Sequence, residues 1–471
     1  MSETFYWYDL ETSGTNPKWD RIVQFAGLRT DADMNVVGDE YSTYVRLPDD
    51  VLPNPQASLV TGITPQLTHT KGISETSALL EINRIFSEPK TCVAGYNSLR
   101  FDDEFIRYSF YRNLIDPYTR EWKNGNSRWD LIDLVRATGA LRRDGIEWPI
   151  DDDGLPVYKL EVLTKANGIE HGHAHDAMSD VHATAALARR IKQAQPRLFE
   201  YYFGLRNKKA VRALLEPYGA RLCVQVSALY PRERFGVAPI ISITRHPTNG
   251  NSMIVVDLAE DVESLLNESS EEISKKLFSN DRSERPPLRE VRLNRCPFIA
   301  TAEVLTEENL ERTGIDMKLA KERARRLRVP GLAEKLMRVY SQPRPSPAAD
   351  PDAALYDGFL QEEDRSRCEA LHEDLRKGRW RHMDFTDPRL HVLASRMKAR
   401  SFVGLLDAED LAPWHEFVSN KLSHSGDWLD LHSYETQLEQ MLADPMLDEE
   451  KFNILSRLTE HAHDIRNRYQ I

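Results

Sequence analysis

The chain has 471 residues, 41% hydrophobic and 29% charged, with a formal net charge of −12. That length exceeds one ordinary core, so roughly two to four domains are expected, in a soluble globular protein and not a disordered one. No run approaches about 18 uncharged apolar residues, which excludes a membrane-spanning helix. The opening Ser2, Glu3 and Thr4 lack the basic-then-apolar layout of a secretory signal. Cys92, Cys223, Cys296 and Cys368 are scattered, forming neither a close metal pair nor a disulfide framework. A reducing, cytoplasmic setting is expected.

Residues 4–48 read as three strands, "TFYWYDLE", "RIVQFAGLRT" and "YSTYVRL", followed by "TCVAGYN" ending at Asn97. Helical patterns follow at 102–113, 130–141, 158–167 and 175–193. An opening meander followed by mixed strands and helices predicts an α/β domain with a mixed sheet over residues 1–198. A connector, "LFEYYFGLRNKKAVRALLEP", leads into the strand-like stretches "RLCVQVSALY", "GVAPIISITRH", "SMIVVDLA" and "LREVRLNRCPFIATAE". These predict a β-rich domain over 199–345. The proline-rich "SQPRPSPAADPDAAL", 341–355, reads as a linker, and 352–471 as almost wholly helical.

The negative net charge is a weak objection to nucleic-acid binding, because binding depends on local basic patches. Two exist: Arg206, Lys208, Lys209 and Arg212, then Lys318, Lys321, Arg323, Arg325, Arg326 and Arg328. Each is either such a patch or a solvated helix face.

Asp9 and Glu11 stand one residue apart at the end of an aromatic strand, so their side chains share a face and their charges repel. Asp102 and Asp103 open a helix, where an acidic residue can also serve as an N-terminal cap. "HDAMSD" adds His175, Asp176 and Asp180. Divalent metal binding unites them: Mg²⁺ takes oxygen ligands, and two ions stabilise the attacking and leaving oxygens of a phosphodiester. Asp9 and Glu11 would bridge the metals, with Asp102 and Asp180 closing the cage. A histidine suits deprotonation of the attacking water. His175 lies five residues before Asp180, so it must precede the helix that carries Asp180. The run His171, His173, His175 could instead hold a transition metal, although no fourth ligand is evident.

"DLET", "NSLRFD" and "HDAMSD" resemble the three motifs of the DnaQ-like exonuclease superfamily, in its DEDDh subclass with a histidine five residues before the last aspartate. More narrowly, "TGITPQ", "FDDEFIRYSFYRNLIDPY", "NSRWDLIDL", "LTKANGIEHGHAHDAMSD", "QPRLFEYYFGLRNK" and "LYDGF" resemble the bacterial exodeoxyribonuclease I family. The resemblance implies an RNase H-like exonuclease domain, an SH3-like domain and a helical C-terminal domain. It implies 3′→5′ degradation of single-stranded DNA to 5′-mononucleotides in repair and recombination, with two Mg²⁺ per site (Mn²⁺ able to substitute). It implies a monomer, associated with the nucleoid. Asp9, Glu11, Asp102 and Asp180 would be the metal carboxylates, and His175 the base. Glu11, Thr12, Arg107, Tyr118, Trp122, Arg136, Lys159 and Lys208 would meet the substrate. Arg142 and Tyr201 would receive the acidic, Phe-ending tail of single-stranded-DNA-binding protein.

Two positions depart from the family pattern. Ser13 stands where an aromatic is expected in some members, and Lys159 where arginine is common; lysine is a point charge without bidentate phosphate geometry. Tyr118 and Trp122, four apart, would share a helix face and stack on bases, or else lie in the core. Arg107 and Arg136 would neutralise phosphates or form structural ion pairs. The rival functions are another DEDDh nuclease, of proofreading or oligoribonuclease type, and a non-catalytic DNA-binding repair scaffold. The first leaves residues 200–471 unexplained; the complete acidic set argues against the second.

Overall fold

The computed structural model describes residues 3–172, 176–341 and 346–471. The chain forms two compact units, one of Met1–Ser127, Gly172–His182 and Ser346–Ile471, the other of Arg128–His171 and Ala183–Pro345.

In the first unit, β1 (Thr4–Thr12), β2 (Ile22–Thr30), β3 (Val36–Tyr44) and β4 (Thr91–Gly95) form a mixed sheet. β1 runs antiparallel to β2 and parallel to β4, and β3 pairs with the far edge of β2. β1 is covered on both faces. Tyr6, Tyr8 and Leu10 enter a core with Phe25, Leu79, Phe86, Phe105 and Phe110, while Trp7 stacks on Phe5 and donates from Nε1 to Thr30 Oγ1 at 3.0 Å. A strand so enclosed needs apolar residues on both faces, which is why its run is almost continuously aromatic.

The stretch between β3 and β4, where the sequence shows no clear pattern, holds helices Pro55–Thr61, Pro65–Lys71 and Glu75–Phe86. Asn54, Thr64 and Ser74 cap them by accepting first-turn N–H groups, and proline opens the first two, where its missing N–H costs nothing. The third predicted strand is shifted: it covers Val36–Tyr44, not residues up to 47.

Five helices, from Glu362–Arg376 to Glu449–Tyr469, make up most of the C-terminal region, as expected. Leu371, Leu390, Leu393 and Met397 pack on Tyr108 and Tyr111, so this region shares a core with the sheet domain. The expected linker over 341–355 is not solvated throughout. Asp352 is fully buried and Leu355 nearly so, because Arg400 and Arg396 hold the aspartate in place.

In the second unit, after β5 (Ser127–Asp130), five antiparallel strands form a sheet. They are β6 (Leu222–Val226), β7 (Val237–Arg245), β8 (Ser252–Asp257), β9 (Leu288–Arg292) and β10 (Phe298–Thr301), in the order β10-β6-β7-β8-β9. The strand-like stretch 288–303 is not continuous. Cys296, at φ 45°, followed by Pro297, breaks it into β9 and β10. All four cysteines are buried and free, and no described helix is long and apolar enough to cross a membrane.

Candidate active site

β1 delivers Asp9 and Glu11 to one face, as the period of two requires, opposite Ala26 and Gln24 of β2. The helix Ala177–Ala194 brings Asp180 to them. One carboxylate oxygen from each of Asp9, Glu11 and Asp180 lies within 4.8 Å of the others. Asp176 caps that helix, accepting the Ser179 N–H at 3.2 Å, and its charge also bears on Asp9 and Glu11.

Asp102 is the first residue of the helix Asp102–Arg112 and is buried. The capping role open to it in the sequence is not used: the cap position is Phe101, without a side-chain hydrogen bond. Asp102 instead faces Asp9, as the strongest charge acting on it. Its neighbour Asp103 pairs with Arg120 at 2.5 Å.

Burial, and then mutual repulsion, push Asp9 and Glu11 upward. Glu11 rises to about 9, first through loss of water and then through Asp9, Asp180 and Asp176. Asp9 rises well above the carboxylate range through burial, then Asp102, Asp180 and Asp176. Carboxylates crowded together out of water are matched to a divalent cation, which supplies the missing positive charge. Its donors are all carboxylate oxygens, the set suited to hard cations and not to soft ones. His175 lies outside the described residues, as does His173 of the alternative histidine site.

The other predicted residues fall in both units. In the first, Thr12 is buried and donates to Gly14 O at 2.7 Å. Ser13 Oγ accepts the Arg21 N–H at 2.9 Å, closing the loop after β1. Arg107 is buried; Nε donates to Glu121 at 2.8 Å, Nη1 meets Glu104 at 3.2 Å, and its guanidinium lies 5.5 Å from the Tyr118 ring centre. It is better placed to hold Tyr118 than to meet a phosphate. Tyr118 and Trp122 do not share a helix face, since Pro117 and the Asn124–Gly125 turn leave only short 3₁₀ turns here. Tyr118 is partly covered and Trp122 is 67% exposed.

Tyr356 and Phe359 join this surface, unforeseen from the sequence. Tyr356 donates to Glu104 at 2.5 Å, and Phe359 meets Tyr118 edge-on at 5.8 Å. Some 240 residues separate these partners in sequence, so no local pattern could link them.

In the second unit, Arg136 pairs with Asp133 at 2.7 Å, while Lys159 and Lys208 are exposed at the starts of helices. Arg142 donates to Val304 O at 2.9 Å and approaches Asn309 Oδ1 at 3.3 Å. Tyr201 donates to Ile299 O at 2.7 Å.

A mixed sheet presenting paired carboxylates from β1, joined by acids from two helices, is the arrangement that the resemblance to DnaQ-like exonucleases implies. Comparison with known proteins narrows the class. Residues 6–188 match an exonuclease family model, 206–342 the exonuclease I SH3-like domain, and 349–465 the exonuclease I C-terminal domain. Exodeoxyribonuclease I of Haemophilus influenzae is 40% identical, over 98% of each chain. That of Escherichia coli is 39% identical, over 99% of this chain and 98% of its own. The crystal structure of E. coli exonuclease I with a dA16 oligonucleotide superposes with a TM-score of 0.93, at 39% identity, over 98% of this chain and 100% of that one. Exonuclease I of Methylocaldum szegediense gives 0.92 at 40% identity, over 98% and 99%. The chain belongs to the exodeoxyribonuclease I family. An oligoribonuclease of Neisseria meningitidis matches only 23% of the chain, which leaves the first rival without an account of the rest.

Proposed function

We propose that this protein removes 5′-mononucleotides from the 3′ end of single-stranded DNA, in repair and recombination. The approach of Asp9, Glu11 and Asp180 oxygens within 4.8 Å carries the reading. The E. coli relative solved with dA16 supports the choice of substrate.

Asp9, Glu11, Asp102 and Asp180 would hold two Mg²⁺, with Mn²⁺ able to replace them. When bound, such ions stabilise the attacking and departing oxygens of the phosphodiester. His175 takes the proton from the attacking water at a ring nitrogen. Thr12 and Glu11 border the terminal nucleotide, Tyr118 and the exposed Trp122 stack on bases, and Arg136, Lys159 and Lys208 neutralise phosphates. Stacking reads no particular base, so degradation is nearly independent of sequence. Arg142 and Tyr201 receive the acidic tail of single-stranded-DNA-binding protein. The protein acts as a cytoplasmic, nucleoid-associated monomer.

Oligonucleotides labelled at either end, with single-stranded, blunt or recessed termini, test this. Mononucleotides should leave single-stranded 3′ ends, with little attack on blunt duplex. Release from 5′ ends, or cutting of circular single strands, would overturn it.

A further inference from the structure

The loop Ser13–Arg21 continues β1 directly from Glu11 and Thr12. It is tied at its neck: Ser13 N–H donates to Arg21 O at 2.8 Å, and Arg21 N–H to Ser13 Oγ at 2.9 Å. Its interior is filled by the Asp20 carboxylate, which accepts the Asn16 N–H at 2.8 Å and lies 2.4 Å from where a Cβ on Gly14 would stand. Three of its carbonyls turn inward onto one side chain. Arg112 Nη1 donates to Pro17 O at 2.8 Å and Lys18 O at 3.0 Å, and Nη2 to Asp20 O at 3.4 Å.

Arg112 is 1% exposed, and its fourth acceptor is Ser109 Oγ, so every group it bonds is neutral. A buried charge among neutral acceptors is a costly way to fill space, and an apolar side chain would fill it without that cost. What the guanidinium adds is a rigid fork that seats three carbonyls at once. A second buried arginine works beside it. Arg21 Nη1 donates to Trp19 O at 2.7 Å, and Arg21 is braced by Glu75 at 3.7 Å and by Asp352 of the C-terminal region at 3.5 Å.

Arg112 is also the last residue of the helix whose first residue is Asp102. One side chain therefore joins the loop leaving Glu11 to the helix carrying Asp102. We propose that Arg112 is a positioning residue, which sets the Glu11 end of β1 against Asp102 so that the carboxylates converge on one cation centre. This rests on the reading of the acidic cluster as a metal centre.

The test uses the full chain and three variants, each first checked for cooperative melting. Arg112→Met keeps the volume and removes the fork; Arg112→Lys keeps the charge with a single donor group. Gly14→Ala crowds the Asp20 carboxylate, which must leave its place inside the loop, and leaves Arg112 untouched. Mn²⁺ binding, followed by electron paramagnetic resonance, should weaken about 10–100-fold in Arg112→Met and Gly14→Ala, with partial recovery in Arg112→Lys. Turnover on oligothymidylate should fall by a similar factor, with KM within about twofold. A folded Arg112→Met protein with wild-type Mn²⁺ affinity and turnover would overturn the proposal. If neither Arg112 variant folds, wild-type behaviour of Gly14→Ala overturns it equally. Wild-type protein that binds Mn²⁺ yet leaves single-stranded DNA intact would refute the proposed substrate and not the positioning role, which the Mn²⁺ titration reads alone.

Discussion

Arg400 grips Asp50 through two hydrogen bonds, Nε to Oδ1 at 3.0 Å and Nη2 to Oδ2 at 2.7 Å, with both side chains buried. The same guanidinium reaches Asp352, and Lys421 meets Asp50 at 2.9 Å. A buried network of this kind fastens the C-terminal helices to the sheet domain. Removing one partner leaves an uncompensated buried charge, so Arg400→Met should cost about 3–5 kcal/mol, read as a shift in denaturant midpoint. Burial alone would raise the Asp50 carboxyl, but Arg400 and Lys421 outweigh it and hold it far below the usual range. The unfolded chain therefore takes up protons that the folded chain refuses. Asp50's contribution is present above about pH 4 and is lost as the pH falls below it.

Two buried histidines should act earlier in an acid titration. His372 is lowered to about 4 by burial, although it bonds to Asn113 O at 2.9 Å. His461, edge-on to His69 at 6.4 Å, is lowered to about 4 by burial and then by His69. Both stay neutral in the folded chain while the unfolded chain protonates near pH 6.5. Stability should fall between pH 6.5 and 4, by roughly 1–3 kcal/mol for each. His461→Phe should flatten that slope; urea midpoints at pH 7 and pH 5 that fall as steeply as in wild type would remove His461 from the account.

Trp122, 67% exposed, is free to change without disturbing a core. Trp122→Ala should weaken single-strand binding by roughly 1–3 kcal/mol and leave the melting temperature unchanged. Fluorescence anisotropy with oligothymidylate checks the first, and a thermal melt the second. Affinity should also fall by roughly 0.7 log units per log unit of salt for each phosphate engaged.

Arg142→Ala should weaken capture of the acidic tail peptide while DNA turnover stays unchanged, as measured by isothermal calorimetry and digestion rates. Equal affinity in wild type and variant would remove Arg142 from the receptor.

The carboxylates were legible because each lies in a short local pattern. Asp9 and Glu11 share a face through the strand period alone, and Asp180 is fixed by its helix. The C-terminal helices were legible as a region because they form one long periodic stretch. Helices Pro55–Thr61 and Pro65–Lys71 were not, since seven residues around a proline show little periodicity. The helical pairing expected for Tyr118 and Trp122 failed because turn residues override spacing. Asp352 looked like linker because its partners Arg21 and Arg400 are remote in sequence, and only the tertiary fold brings these charges together.

His175→Ala should lower turnover by about 10²–10⁴-fold, the scale of a lost general base, while single-strand affinity survives. An equal loss of affinity would assign the histidine to binding instead.

The most direct measurement compares wild type with Asp9→Ala and Asp180→Ala on a 5′-labelled single strand, at saturating Mg²⁺, with folding verified by thermal melting. Both variants should melt at or above the wild-type temperature without metal, because removing a carboxylate relieves the repulsion that adds to burial in pushing Glu11 upward. Neither should shorten the labelled strand. Near-normal shortening by either folded variant would contradict the assignment of this acidic cluster as the catalytic centre.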